Sequence, residues 1–409
     1  MSRESKDLIV GLDIGTSKVV AVVAEVRPDG VLEVLGISNQ QAKGLKKGVV
    51  VDIEATVESI SRAIEEVSQV AQCRVSHVAT GIAGSHIRSF NSNGMVAIKD
   101  KEVTQNDVER VLETARAMPL PADQQVLHVM TQEFIIDGQD GVRVPIGMSG
   151  VRLEVKVHIV TGAVSAAQNI VKCVKRCGLE VEDLVLQQLA SSYAVLSDDE
   201  RELGVCLVDI GGGTTDIAVF TDGAIRHTAV IPIAGDQITN DIAMALRTPI
   251  PDAEEIKIRH GVALQQLAEP EQMIDVPGIG ERGPRKLSRQ ALADVIQPRV
   301  EELFQLVQAE LRRSGYEELL SSGIVLTGGS AVMEGMGELG EEIFHMPVKV
   351  GIPKYEGPMA EVVRHPRFAT AMGLIIDAAG HRRRGYVPSD GGSVKQVWSK
   401  MKSWFEKNF

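Results

Sequence analysis

Aromatic side chains are scarce: eight Phe, four Tyr and two Trp among 409 residues, 3% of the chain. Both tryptophans, Trp398 and Trp404, fall within the last twelve residues. A tryptophan ordinarily anchors a core; here both are kept for the tail. Cysteine is sparse too. Cys73, Cys173, Cys177 and Cys206 form no CxxC pair. Cys173 and Cys177 are one helical turn apart, which reads as two buried thiols on one helix face rather than a metal site, and such usage suits a reducing cytoplasm. No apolar run approaches the ~20 residues of a membrane-spanning helix; the longest, Val19 to Ala24, has strand length. The start, Met1–Lys6, is short and polar, so no signal peptide is expected. Positive charge is in deficit, 43 Lys+Arg against 55 Asp+Glu for a net charge of −12, the wrong sign for general nucleic-acid binding. Ordinary apolar (44%) and charged (24%) fractions exclude wholesale disorder, and the length suits two to four subdomains.

What the chain does contain is a repeat. Residues 8–36, LIVGLDIGTSKVVAVVAEVRPDGVLEVLG, and residues 204–235, GVCLVDIGGGTTDIAVFTDGAIRHTAVIPIAG, share one order of features. Each opens with an apolar run ending in Asp-Ile-Gly. Small and hydroxyl residues follow, then a second β-rich run, an Asp-Gly turn (Asp29-Gly30, Asp222-Gly223) and a third run. Helical periodicity follows each unit: Ile53, Val57, Ile60, Ile64 and Val67 make one apolar face. Ser165 is placed to cap a helix running to Gly178, and Leu287–Arg313 reads as a helical stretch interrupted at Pro298 and stopped at Gly315. The expected class is α/β, a duplicated two-lobed fold. Residues 83–161 stand outside the duplication. They hold a helix over Thr104–Met118 with Thr104 and Asp107 spaced as a capping box, and β-rich runs at Val126–Ile136 and Val151–Thr161 with Asp137-Gly138 and Asp140-Gly141 as turns between them. This is a small α+β module inserted in the first lobe.

The two Asp-Ile-Gly turns have a physical use. Glycines at Gly15, Gly211, Gly212 and Gly213 let backbone N–H groups approach phosphate oxygens, and Thr16, Ser17, Thr214 and Thr215 add hydroxyl donors. Asp13 and Asp209, at strand ends, can hold a Mg²⁺ through its water shell. A third element, Gly323 to Ser330, is a short apolar strand ending in Gly328-Gly329-Ser330 and followed by Met333, where glycine backbone can lie flat against adenine or ribose. The pattern GxxxxGK[ST] is absent, so this is not a P-loop protein. Lys18 can meet a phosphate or face solvent.

The order DIGT, DIGGGTTD, LTGGS resembles the phosphate and adenosine motifs of the actin/Hsp70/sugar-kinase superfamily. The segments ELGVCLVDIGGGTTDIAVFTDGAIRHTAVIPIAG and ASSYAVL, the insert and the tail VWSKMKSWF resemble the FtsA family of bacterial cell-division proteins over nearly the whole chain. The resemblance implies a two-lobed actin-like fold of ribonuclease H-like duplicated halves. Subdomain 1A would span 1–82, completed by 162–197 and about 366–380; the inserted 1C would span 83–161. Subdomain 2A would be 198–230 completed by 304–365, subdomain 2B would be 231–303, residues 381–392 a flexible linker and 393–409 a membrane-targeting amphipathic helix. It implies ATP and Mg²⁺ as ligands, self-association into filaments through 1C, and capture of the C-terminal peptide of FtsZ by 2B. Tethering of FtsZ filaments to the cytoplasmic face of the inner membrane at the division site, and contacts with other division proteins, are implied as well. In 2B the segment AEEIKIRHG resembles a nucleoside-touching helix, with Glu254 and Lys257 three residues apart, either on ribose and base or as an exposed ion pair. Arg282, Arg285, Lys286, Arg289 and Arg299 form a basic face, Arg289 and Arg299 being expected on the peptide unless that face is merely solvated. Where brisk ATPases of the superfamily carry an acid, this chain has Gln187 and Gln188; a glutamine orients water but is no general base. At most weak hydrolysis follows, with nucleotide acting mainly as a conformational and assembly ligand. The competing expectation is an actin-fold small-molecule kinase.

In the tail, Val394, Val397, Trp398, Met401, Trp404, Phe405 and Phe409 recur at three and four residues, with Lys395, Lys400, Lys402 and Lys407 on the remaining faces and Ser393 as N-cap. A Trp/Phe face flanked by lysines lies in the plane of an anionic bilayer surface, or alternatively docks on protein.

Overall fold

The computed structural model describes residues 8–280 and 283–382. The first repeat forms β1 (Leu8–Ile14), β2 (Lys18–Val26) and β3 (Leu32–Gln41), followed by the short β4 (Leu45–Lys46) and β5 (Val49–Val50), helix α1 (Ile53–Val70) and β6 (His77–Ile82). The insert contributes β7 (Arg88–Ala97), α2 (Gln105–Arg116), β8 (Gln124–Ile136), β9 (Gln139–Val142) and β10 (Arg152–Ala163); α3 (Val164–Arg176), β11 (Glu180–Leu186), α4 (Gln187–Val195) and α5 (Asp198–Leu203) complete the first half. The second repeat forms β12 (Val205–Ile210), β13 (Thr215–Thr221) and β14 (Ala224–Ile231). Then come α6 (Gly235–Leu246), α7 (Ile250–His260), β15 (Met273–Val276), β16 (Arg285–Ser288), α8 (Arg289–Ser314), β17 (Ile324–Thr327), α9 (Met336–Phe344), β18 (Val348–Val350), α10 (Ala360–Val363) and α11 (Ala369–Arg382).

The duplication is a matter of topology as well as sequence. One five-stranded sheet runs β3-β2-β1-β6-β11 and the other β14-β13-β12-β17-β18. In both, the first three strands are antiparallel and the last two join in parallel. The central strands β1 and β12 are buried at every residue, which is why each is apolar up to its aspartate: both faces of each sheet are covered. Asp52 caps α1, its side chain accepting from Ala55 N–H at 3.1 Å, and Ile60, Ala63 and Val67 are its buried face. In α8, Leu292, Ile296, Val300, Leu303, Val307 and Leu311 form the stripe that fills the second core.

Three local expectations change. Helix α8 is continuous through Pro298: the ring sits on the exposed face, so the carbonyl it leaves free is open to water, and Leu287 belongs to β16, with Ser288 as the cap. Helix α3 starts at Val164 without a side-chain cap, so Ser165 lies inside it, while Gly178 follows its end at φ 75°. Asp140-Gly141 lies within β9. The capping box at Thr104 and Asp107 is present, and Cys173 and Cys177 are free thiols, the first buried and the second half-buried.

The insert is a four-stranded antiparallel sheet, β7-β10-β8-β9, with α2 packed on β7 and β10. Strand β7 was unforeseen because RSFNSNGMVA is mostly polar. The module also touches the second lobe along the edge strand β14. Ser89 Oγ donates to Thr228 O at 2.8 Å, Gln132 Nε2 to Ile225 O at 3.0 Å, and the His158 ring lies 3.0 Å from Thr228 Oγ1. Covering this edge removes a template for unwanted strand pairing. Burial, with His227 nearby, pushes the His158 imidazole down to about 3, so it serves as a neutral hydrogen-bonding group.

Helix α11 packs on α4 and on β1, and the crossing has no room for a side chain at Gly373: a Cβ there would lie 1.8 Å from Ala190 O. Gly373→Ala should therefore destabilise the chain by about 3 kcal/mol, the upper range of overpacking. Urea unfolding of the two proteins measures this; an unchanged midpoint would mean that the helices separate freely.

Candidate functional site

The two Asp-Ile-Gly hairpins are built alike and meet. Gly15 N–H donates to Lys18 O at 2.9 Å, and at the matching place Gly211 N–H donates to Thr214 O at 3.0 Å. The loops approach so closely that a Cβ on Gly213 would lie 2.5 Å from Thr16 Oγ1, and one on Gly212 would lie 2.8 Å from Ser17 Cβ. Glycine is required by this contact between lobes. Thr16 Oγ1 accepts from Gly48 N–H at 3.1 Å.

Beneath the loops are three buried carboxylates. Asp13 ends β1 and Asp209 ends β12, as expected, and Asp216 stands directly across the hairpin from Asp209. Asp209 accepts from Ser191 Oγ and, at 3.3 Å, from Thr370 Oγ1. Gln187 Nε2 donates to Asp13 Oδ1 at 3.1 Å, whereas Gln188 turns toward Ala229 O. Lys18 reaches Asp13 at 4.0 Å. Asp216 Oδ2 accepts from Thr214 Oγ1 at 2.9 Å, and its Oδ1 is buried without a partner among the described residues. Burial raises all three acids. Asp13 is pushed up to about 6, with Lys18 opposing and Asp209 adding to the shift; Asp216 is pushed up to about 8 by burial and then by Asp209; Asp209 is raised by burial against the pull of Ser191. An all-oxygen set with excess negative charge and an orphaned oxygen fits a hard divalent cation such as Mg²⁺.

The remaining cleft residues assemble around the second hairpin. Ser330 Oγ donates to Gly211 O at 3.1 Å. Gly328 adopts φ 88°, and a Cβ there would lie 2.5 Å from Asp209 Oδ1; the nearest described atom to a Cβ on Gly329 would be Arg367 Cβ at 4.0 Å, so its backbone faces open space. Lys257 is buried, donating to Gly235 O at 3.1 Å and Thr239 Oγ1 at 2.8 Å and pairing with Glu254 at 2.7 Å. Glu254 and Lys257 thus form an i,i+3 ion pair beside the start of α6, with Lys257 buried and the Glu254 side chain 41% exposed. Met333 lies beside Gly261, at the end of α7. Thr215 spends its hydroxyl on Ile233 O at 2.8 Å, which directs it away from the cleft.

The expected peptide arginines are occupied. Arg289 is held by His260 O at 2.9 Å and by Glu334; Arg299 is held by Asp241 at 2.5 Å and by Glu302. Arg282 and the tail residues Val394, Val397, Trp398, Met401, Trp404 and Phe405 lie outside the described residues. Sequence reasoning missed Asp216 as a site residue, although it closes the DIGGGTTD motif. The first repeat has Val20 at the equivalent position, so comparing the halves hid it.

Residues 206–373 match the family described as "Cell division protein FtsA" and residues 84–161 the "SHS2 domain inserted in FTSA". Cell division protein FtsA of Pseudomonas aeruginosa is 61% identical over 100% of both chains, and that of Neisseria meningitidis serogroup B is 48% identical over 97% of this chain and 98% of its own. The chain belongs to the FtsA family. Its members are cell-division proteins, and the actin-like fold is shared more widely. The PilM-PilN type IV pilus biogenesis complex aligns with a TM-score of 0.66 at 18% identity, covering 91% of this chain and 98% of that one. MreB5 of Spiroplasma citri bound to ADP aligns at 0.56 and 17%, covering 93% and 100%.

For this FtsA-family chain the raised carboxyls set a pH dependence. The native state keeps the Asp216 proton up to about 8, whereas the unfolded chain releases it near 3.8. Between those values the native state binds more protons, so the unfolding free energy falls as pH rises, by at most ~1.4 kcal/mol per pH unit for each such group. Asp216→Asn mimics the protonated acid and should flatten the decline between pH 5 and pH 8 in metal-free buffer. Thermal melts across that range test this; an equally steep decline in the variant would contradict it.

Proposed function

We propose that this chain binds MgATP between its lobes, assembles into filaments, and ties FtsZ filaments to the inner membrane at the division site, where it helps assemble the septal ring. The observation that carries the reading is the pair of matched hairpins meeting over three buried carboxylates, one with an oxygen that has no partner among the described residues. Gly15, Thr16, Ser17, Gly211, Gly212, Gly213 and Thr214 hold the phosphates, with N–H groups and hydroxyls as donors. Glu254, Lys257, Gly328, Gly329, Ser330 and Met333 hold the nucleoside side. Asp13, Asp209 and Asp216 would hold Mg²⁺, which when bound offsets the charge of phosphates and carboxylates. Gln187 fastens Asp13 and orients water without taking its proton, so hydrolysis is slow and nucleotide acts as an assembly ligand. The ADP bound to MreB5 supports the nucleotide part of this reading. Likeness to the MamK double helical filament (TM-score 0.51, 13% identity, covering 93% of this chain and 99% of that one) supports the filament part. Family membership sets the kinase alternative aside.

The insert over 83–161 is the filament contact, since neither repeat needs it for its own sheet. The FtsZ peptide docks on the 2B region. The groove lined by Asn240, Ala243, Met244, Arg247, Ile250 and Ile279 is open for it, and Arg299 braces it through Asp241, the neighbour of Asn240. No helix among the described residues is long and apolar enough to cross a membrane. Attachment is assigned to residues 393–409 on their sequence pattern, by insertion of Trp398, Trp404 and Phe405 with lysines on anionic headgroups. A foot this short holds weakly, and assembly strengthens it by avidity.

Co-sedimentation with anionic vesicles, with and without FtsZ, tests the proposal. The full chain should pellet and carry FtsZ with it. A chain ending at residue 392, or carrying Trp404→Glu, should stay in the supernatant with FtsZ while binding MgATP as before. Pelleting undiminished in both variants would refute the membrane foot, and FtsZ left behind by the bound full chain would refute the tether.

A further inference from the structure

Away from the cleft, one cluster combines metal-ligating side chains of two elements. Asp377 and His381 are one turn apart on α11 and so share a face; His381 Nδ1 lies 3.6 Å from Asp377 Oδ2. Asp183 comes from β11. One ligand atom from each of the three lies within 4.8 Å of the others. Asp377 is buried and the other two are partly so.

The path of β11 is what brings Asp183 there. Pairing with β6 shifts register between Val181 and Asp183, so Glu182 is an extra residue in the ladder. In a regular strand Glu182 and Asp183 would point to opposite faces; a bulge re-aims side chains. Here both serve the end of α11: Glu182 accepts from Arg382 at 3.4 Å, and Asp183 meets Asp377 and His381. Asp183 Oδ1 accepts its neighbour's amide, Leu184 N–H, at 2.6 Å, which fixes the orientation of the carboxylate.

We propose that Asp183, Asp377 and His381 bind a divalent transition-metal ion of the zinc class, which pins the last turn of α11 to β11. Two carboxylate oxygens and one imidazole nitrogen suit borderline ions such as Zn²⁺ better than Mg²⁺ or Ca²⁺, which prefer all-oxygen sets. Three protein ligands leave a position for water. The consequence reaches beyond the site. Helix α11 packs on β1 and α4, which carry Asp13 and Gln187, so a pinned α11 stiffens the floor of the cleft and fixes the point from which the chain continues into residues 383–409. The site shares no residue with the proposed nucleotide cleft, so the two readings stand or fall separately.

Calorimetric titration of the full chain with Zn²⁺, in a large excess of Mg²⁺ to occupy the cleft carboxylates, tests this. One equivalent should bind and raise the melting temperature. His381→Gln and Asp183→Asn, both near-isosteric, should each weaken that equivalent at least tenfold, while Cys177→Ser leaves it unchanged. Co²⁺ in place of Zn²⁺ should give a visible absorption band that both variants lose. Absence of a bound equivalent, affinity undiminished in both variants, or loss with Cys177→Ser would overturn the assignment.

Discussion

Two strands from two copies of one sheet end in buried aspartates aimed at a common point, and that concentration of negative charge governs the rest of the structure. Asp13, Asp209 and Asp216 sit where water is largely excluded, with Lys18 as the nearby cation. Such a cluster is accommodated by holding protons or by borrowing hydrogen bonds from Gln187, Ser191, Thr370 and Thr214. These donors come from several parts of the chain. The helix α4 supplies two of them, the start of α11 another, and the second hairpin the last. A cation that offsets the excess charge would therefore act on both lobes and on the helices between them at once.

Much of this was legible in the amino-acid order. The duplication could be seen because the same residues recur where the same turn recurs, and the central strands could be seen as apolar runs before each aspartate because both faces of each sheet are covered. The inserted module was recognisable as an interruption of the repeat, and its capping box at Thr104 and Asp107 by spacing alone. What escaped was whatever depended on contacts far apart in sequence. Strand β7 is polar because it borrows its apolar neighbours from α2 and β10. Pro298 is tolerated because it lies on the wet side of α8. Arg289 and Arg299 looked available in a list of charges, and only the fold brings Glu334 and Asp241 to them. Gln187 and Gln188 are adjacent and alike, yet only the first enters the cleft.

The insert links the two halves in a way its position in the chain does not announce. It interrupts the first lobe, but it hydrogen-bonds along β14, the edge strand of the second, through Ser89, Gln132 and the neutral ring of His158. Any movement of one lobe relative to the other must therefore shear this contact or carry the insert with it. This row of side chains is a direct mechanical link between the insert and the second lobe.

The central claim is that the two hairpins act as one clamp on a nucleotide. Amide hydrogen exchange with and without MgATP measures it directly. Protection should rise together in residues 14–18 and 211–215, in the same range of nucleotide concentration. Protection confined to one hairpin, or none in either, would contradict the account.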